Sequence, residues 1–132
     1  MKTLPLRLFP GDDLRAALDA ALARSGAQAA FVVAGIGSLR EARLRLAGRD
    51  APERLAGDLE ILTLAGTLGP DGSHLHASLA GADGRVLGGH VAPGCIVRTT
   101  AEILLALLDH VRFARETDAA TGYAELAIRP RT

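Results

Sequence analysis

The 132-residue sequence predicts an α+β fold, a mostly antiparallel β-sheet packed with one main N-terminal helix in a single domain, residues 1–132. Three observations carry that prediction. Apolar residues recur in many short runs bounded by glycine or proline, which is the pattern of strands. One segment, Leu14 to Leu22, spaces its apolar residues at helical period. Turn sequences such as Asp83-Gly84 join neighbouring runs closely enough for hairpins, which makes the pairing antiparallel.

The elements follow in order. Leu4, Leu6 and Leu8 alternate through Thr3 to Phe9, a first strand that Pro10-Gly11 breaks. Asp12 or Asp13 caps a helix with Leu14, Ala17, Leu18, Ala21 and Leu22 on one face. Ser25-Gly26 ends it, glycine being the usual C-terminal stop. Ala29 to Ile36 is apolar and β-branched, a buried strand, and Gly35-Ile36-Gly37 after it reads as a structural turn. Glu41 to Ala47 alternates Ala42, Leu44 and Leu46 with Arg43 and Arg45, a half-exposed strand. Residues 48–57 form a polar loop, Leu59 to Leu68 a strand, and Gly69-Pro70-Asp71-Gly72 a turn. Thr99 to His110 is ambiguous, because Ala101, Glu102 and Leu104 to Leu107 have strong helix propensity. Tyr123 to Ile128 alternates as a closing strand.

Between these elements lies the richest local signal. Three of the four histidines fall at His74, His76 and His90. Imidazole is the commonest protein metal ligand. The runs His74–Ala80 and Arg85–Val91 flank Asp83-Gly84 as strands of a hairpin. Side chains alternate on a strand, so His74 and His76 share a face. A three-residue loop, Ala82-Asp83-Gly84, sets His76 opposite His90 and Ala80 opposite Val86. Leu75, Ala77, Leu79, Leu87 and Val91 then form the opposite, core face. A loop one residue shorter or longer would turn His90 into the core, because a one-residue slip exchanges the faces. Opposed Cβ atoms lie roughly 5 Å apart, within reach of a shared ion at nitrogen–metal distances of about 2.0–2.1 Å. The same residues also fit three half-exposed histidines on a polar sheet face. His110 stands alone in an apolar run and reads as structural or surface rather than as a fourth ligand.

Composition sets bounds. Fifteen basic and fifteen acidic residues cancel to a net charge of zero. That balance argues against strong nonspecific nucleic-acid binding, where phosphate neutralisation supplies most of the affinity. Arg40, Arg43, Arg45, Arg49 and Arg54 make a local basic stretch that Glu41, Asp50 and Glu53 interrupt, the mark of a solvated face. The single Cys95 excludes an internal disulfide and suits a reducing compartment. The N-terminal residues lack the apolar core of a signal peptide, and no apolar run is long enough to span a bilayer. The expectation is a soluble cytoplasmic protein.

Other chemistry is weaker. A dinucleotide loop at Gly35-Ile36-Gly37 fails because Arg40 stands where the third glycine belongs. Ser73 and Ser78 lie in no nucleophile elbow. Glu102, inside an apolar run, is a candidate partner to orient an imidazole, as metal-bound histidines usually need. It reads equally as a solvent-facing residue. Arg112, Arg115, Glu116 and Asp118 suggest a surface or subunit-contact ion network, with anion binding by Arg112 and Arg115 conceivable.

Taken together, several segments resemble one family. They are Arg7 to Leu14, Ile36-Gly37-Ser38-Leu39, Glu60 to Leu68, Gly72-Ser73-His74-Leu75-His76, Gly88-Gly89-His90, Thr100-Ala101-Glu102, Phe113 to Asp118 and Thr121 to Leu126. In this order they are similar to the plant and prokaryote conserved (PPC) domain, over nearly the whole chain. The resemblance implies a compact α+β domain assembled as a homotrimer. It implies that Thr99 to Leu108 is mainly strand, against local propensity. It also implies a divalent metal, usually zinc, on His74, His76 and His90. Plant members join this domain to AT-hook segments that enter the DNA minor groove, and prokaryotic members inherit a DNA-binding label from them. This sequence has no Arg-Gly-Arg-Pro hook.

Three functions follow as expectations. The first is a metal-binding homotrimeric module with a regulatory or protein-interaction role. The second is a metal-dependent enzyme, because three histidines leave a coordination position open for water. The third, a DNA-binding regulator, is disfavoured by the neutral charge.

Overall fold

A computed structural model describes all 132 residues. The chain runs β1 (Lys2–Leu8), α1 (Leu14–Ser25), β2 (Ala30–Arg45), β3 (Glu53–Gly69), β4 (Gly72–Ala80), β5 (Val86–Val91), β6 (Ile96–Leu107), β7 (Val111–Thr117) and β8 (Ala124–Pro130). Every strand pairing is antiparallel. Six strands form one sheet in the order β1-β6-β2-β3-β4-β5, while β7 and β8 pair only with each other.

The helix forms where the sequence places it. Asp13 caps it, its carboxylate accepting from the Ala16 N–H at 3.0 Å. Gly26, in the left-handed region, stops it. Leu14, Leu18, Ala21 and Leu22 face the core. The chain from Ala29 to Ala47, expected as two strands, is one strand of 16 residues to Arg45. Its pairing shifts at bulges near Val33, Ser38 and Arg40, which bend it without ending it. Gly35-Ile36-Gly37 therefore lies within β2 and is not a turn. A Cβ on Gly37 would stand 2.5 Å from the Thr100 carbonyl oxygen, so the glycine admits the neighbouring strand. The polar loop expected over 48–57 is shorter, because β3 already starts at Glu53.

The expected buried strand at Ala29 to Ile36 is buried on one face only. Phe31, Val33 and Ile36 are 43%, 56% and 54% exposed. Residues 99–107 are strand, within β6, despite their helix propensity. Between β1 and β2, each residue from Ala101 to Leu107 pairs on both sides, and Ala101, Ile103 and Leu105 are buried. Tertiary pairing outweighs an intrinsic preference of a few tenths of a kcal/mol per residue. Strand β7, expected only as an ion network, docks through buried Phe113.

Strand β2 organises the molecule. It pairs with β3 on one side and with β6 on the other. At its far end Leu44 and Arg45 meet Val91 and His90 of β5. Strands β2, β3, β4 and β5 thereby close on themselves around a core that includes Leu44, Leu68, Leu75, Leu79 and Val91. Cys95 is fully buried in this core, and burial pushes its thiol pKa up. The open edge of the sheet is β1, which carries Pro5.

Candidate metal centre

The β4–β5 hairpin has the register that gathers the histidines. His76 faces His90, Ser78 faces Gly88 and Ala80 faces Val86. The Gly81 N–H donates to the Arg85 carbonyl, and Gly84 takes the left-handed conformation with φ 81°. Beneath the histidines Leu75, Ala77, Leu79 and Val91 are buried, which locks the alternation. Leu87 is the exception to the expected core face: it is 45% exposed, near the hairpin end.

Close approach of the backbones sets the histidines together. A Cβ on Gly66 of β3 would overlap the His74 carbonyl oxygen. A Cβ on Gly89 would come within 2.8 Å of the Arg45 carbonyl oxygen, so glycine lets β5 reach β2. The imidazole centroids of His74 stand 4.9 Å from those of His76 and 5.2 Å from those of His90. One ring nitrogen from each of the three lies within 4.8 Å of the others. The Nε2 atoms of His74 and His76 are 3.1 Å apart. Two nitrogens in a tetrahedral zinc shell stand roughly 3.3 Å apart, given bonds of about 2.0–2.1 Å.

The surroundings favour neutral imidazole, the ligand form. Burial, then the neighbouring His76 and Arg115, lowers the His74 pKa, against an opposing pull from Glu125. His90 is lowered to about 4, first by burial and then by His74, Arg45 and Arg15. Arg15 Nη1 lies 3.4 Å from His90 Nε2 and donates to the Val91 carbonyl at 3.1 Å. The other nitrogen, His90 Nδ1, is buried without a hydrogen-bond partner, as is Ser73 Oγ. A donor set of three imidazoles with an orphaned buried nitrogen fits a borderline-soft divalent ion.

The other candidates lie elsewhere. Glu102 does not join the histidines. It lines a separate cleft with Ile36, Glu60, Leu62 and Arg98. Arg112 pairs with Asp71 at 3.6 Å. Arg115 does reach the site, lining a pocket of about 500 Å³ with His74 and His90. That pocket also takes Arg45 from the end of β2, Arg49 from the loop that follows, Tyr123 from the turn before β8 and Glu125 from β8. Sequence reading missed these residues as partners. Only the outward alternation of Arg43 and Arg45 hinted at any of them. His110 lies exposed at the β6–β7 turn, away from the cluster.

The Plants and Prokaryotes Conserved (PCC) domain model matches residues 1–109. The bifunctional protein GlmU of Synechococcus sp. (strain JA-2-3B'a(2-13)) is 50% identical over 130 residues, 98% of this chain and 21% of that protein. The chain thus spans about a fifth of the length of the curated relatives it matches. A hypothetical protein from Salmonella enterica has a solved structure with a TM-score of 0.96 at 39% identity, covering 99% of this chain and 95% of that one. A protein from Archaeoglobus fulgidus, described as metal-containing, has a TM-score of 0.83 at 29% identity over 96% of this chain and 94% of that one.

Proposed function

The chain belongs to the Plants and Prokaryotes Conserved domain family, and from that membership we propose that it is a metal-binding module whose ion is held by His74, His76 and His90. The observation that carries this reading is the convergence of three imidazole nitrogens within 4.8 Å on one sheet face. The Archaeoglobus relative, described as metal-containing, supports it. Zinc is the proposed ion, because its tetrahedral preference suits three histidines and one open position. The module has a regulatory or protein-interaction role in the cytoplasm and works as a homotrimer. The exposed apolar side chains Phe31, Val33 and Ile36 along β2 support assembly. No helix is long and apolar enough to cross a membrane.

A metal-dependent enzyme is the second reading, favoured by the pocket that adjoins the histidines. DNA binding is disfavoured by the zero net charge and by the ion pairs that occupy Arg43, Arg54 and Arg98.

Metal analysis of purified protein tests the proposal, with about one divalent ion expected per chain. His76→Ala should lose it while far-ultraviolet circular dichroism is unchanged. Metal-free protein that cannot be reloaded with zinc would sink the site. Light scattering on the same sample should give the mass of three chains; a monomer would remove the trimer.

A further inference from the structure

Six of the fourteen arginines are ion-paired: Arg43 and Arg54 share Glu41, Arg85 meets Asp83, Arg98 meets Asp58, Arg112 meets Asp71 and Arg129 meets Glu116. Those gathered around the histidines are not among them. Arg15, Arg45, Arg49 and Arg115 form no ion pair. Arg15 stands against His90, and the other three line the pocket beside His74 and His90. Asp50 and Glu125 are the carboxylates on that lining. On the lining itself three guanidiniums stand against two carboxylates, an excess of one positive charge, in a protein whose charges cancel overall. A bound divalent ion would add to it.

The guanidiniums are also placed to donate. Arg115 is anchored by its backbone N–H to Asp71 Oδ2 at 3.0 Å and by Nη2 to Thr67 Oγ1 at 2.9 Å. A guanidinium carries five donors, so others remain free. Arg45 sits directly opposite His90 on the neighbouring strand. Ser73 Oγ, on the same lining, is buried with no partner. A site with unpaired fixed positive charge and an unused hydroxyl is complementary to oxygen anions.

We propose that this pocket binds a small molecule through a carboxylate or phosphate group, held by Arg45, Arg49 and Arg115 and turned toward the histidine face. The proposal rests on the metal reading for the open coordination position, while the arginine contacts stand without it. The test is calorimetric titration of the full chain with malonate and, separately, with inorganic phosphate. It is run on zinc-loaded and on chelator-treated protein, with metal content measured independently. At least one anion should bind the zinc-loaded protein. Arg115→Gln should weaken it about tenfold or more, the worth of a charged hydrogen bond, with bound zinc unchanged. Arg45→Gln, at an exposed position, should do the same without risk to folding. Which anion binds decides between the two sources of the group. Zinc-loaded protein that binds neither anion overturns the proposal and leaves the metal site standing. Undiminished binding in both variants overturns it as well. Protein that takes up no metal yet binds an anion through these arginines overturns the metal reading and keeps the arginine pocket.

Discussion

Two antiparallel hairpins meet at the histidine pocket, and they are built in opposite ways. In β4–β5 both strands have a second neighbour, β3 for one and β2 for the other. Its inner face carries Leu75, Leu79 and Val91, all essentially excluded from solvent. The β7–β8 hairpin has no other strand partner. It attaches through buried Phe113 and Ala114 and through bonds such as Phe113 N–H to the Gln28 carbonyl. Tyr123 and Ile128 on it stay 74% and 59% exposed. The family match ends at residue 109, before this hairpin begins. The histidines thus sit on framework, and one wall of the pocket sits on an attachment. The first arrangement fixes geometry; the second leaves a surface that can change without disturbing the histidines.

The comparison can be broken or sharpened by experiment. The largest effect is expected from Gly66→Ala, whose added Cβ meets the His74 carbonyl oxygen. Strands β3 and β4 must part there, so the variant should lose both cooperative thermal unfolding and metal binding. Retention of both would show that the close approach is dispensable. Phe113→Ala comes next, at about 3–5 kcal/mol for a buried phenylalanine. Its effect should be local: hydrogen exchange speeds up over 111–130 while the β4–β5 amides stay protected. Equal loss of protection in both hairpins would make them one cooperative unit and break the comparison.

A pH effect follows in the first hairpin. His90 has a folded pKa of about 4, below the ordinary 6.5. Between these values the unfolded chain binds more protons, so stability rises with pH across that window and is lost as pH falls through it. Metal-free protein should therefore melt lower at pH 4.5 than at pH 7. His90→Gln should narrow that gap; an unchanged gap would exonerate His90. In the second hairpin Glu116 pushes the Arg129 pKa further up and keeps it charged. The smallest effect belongs to Ile128→Ala, expected within about 0.5 kcal/mol by denaturant titration.

The contrast also explains what sequence could reveal. His74, His76 and His90 were legible because buried Leu75 and Val91 allow one register only. The helix was legible from Asp13, its apolar spacing and Gly26. Strand β6 was not legible locally, since its leucines suit a helix until β1 and β2 flank them. Strand β7 buries Phe113 and Ala114, adjacent residues, and so breaks the alternation that marks a strand. Arg45 and Arg49 gave no sign of meeting Arg115, because only the return of β5 to β2 brings the two regions together.

One edge of the large sheet stays open, and Pro5 sits in it. Proline offers no N–H to an incoming strand. An edge so interrupted is a poor template for templated aggregation, the hazard of any strand-rich molecule. Pro5 thus turns this edge away from backbone pairing, which any strand could exploit, and leaves side-chain shape as the means by which another surface could be told apart there.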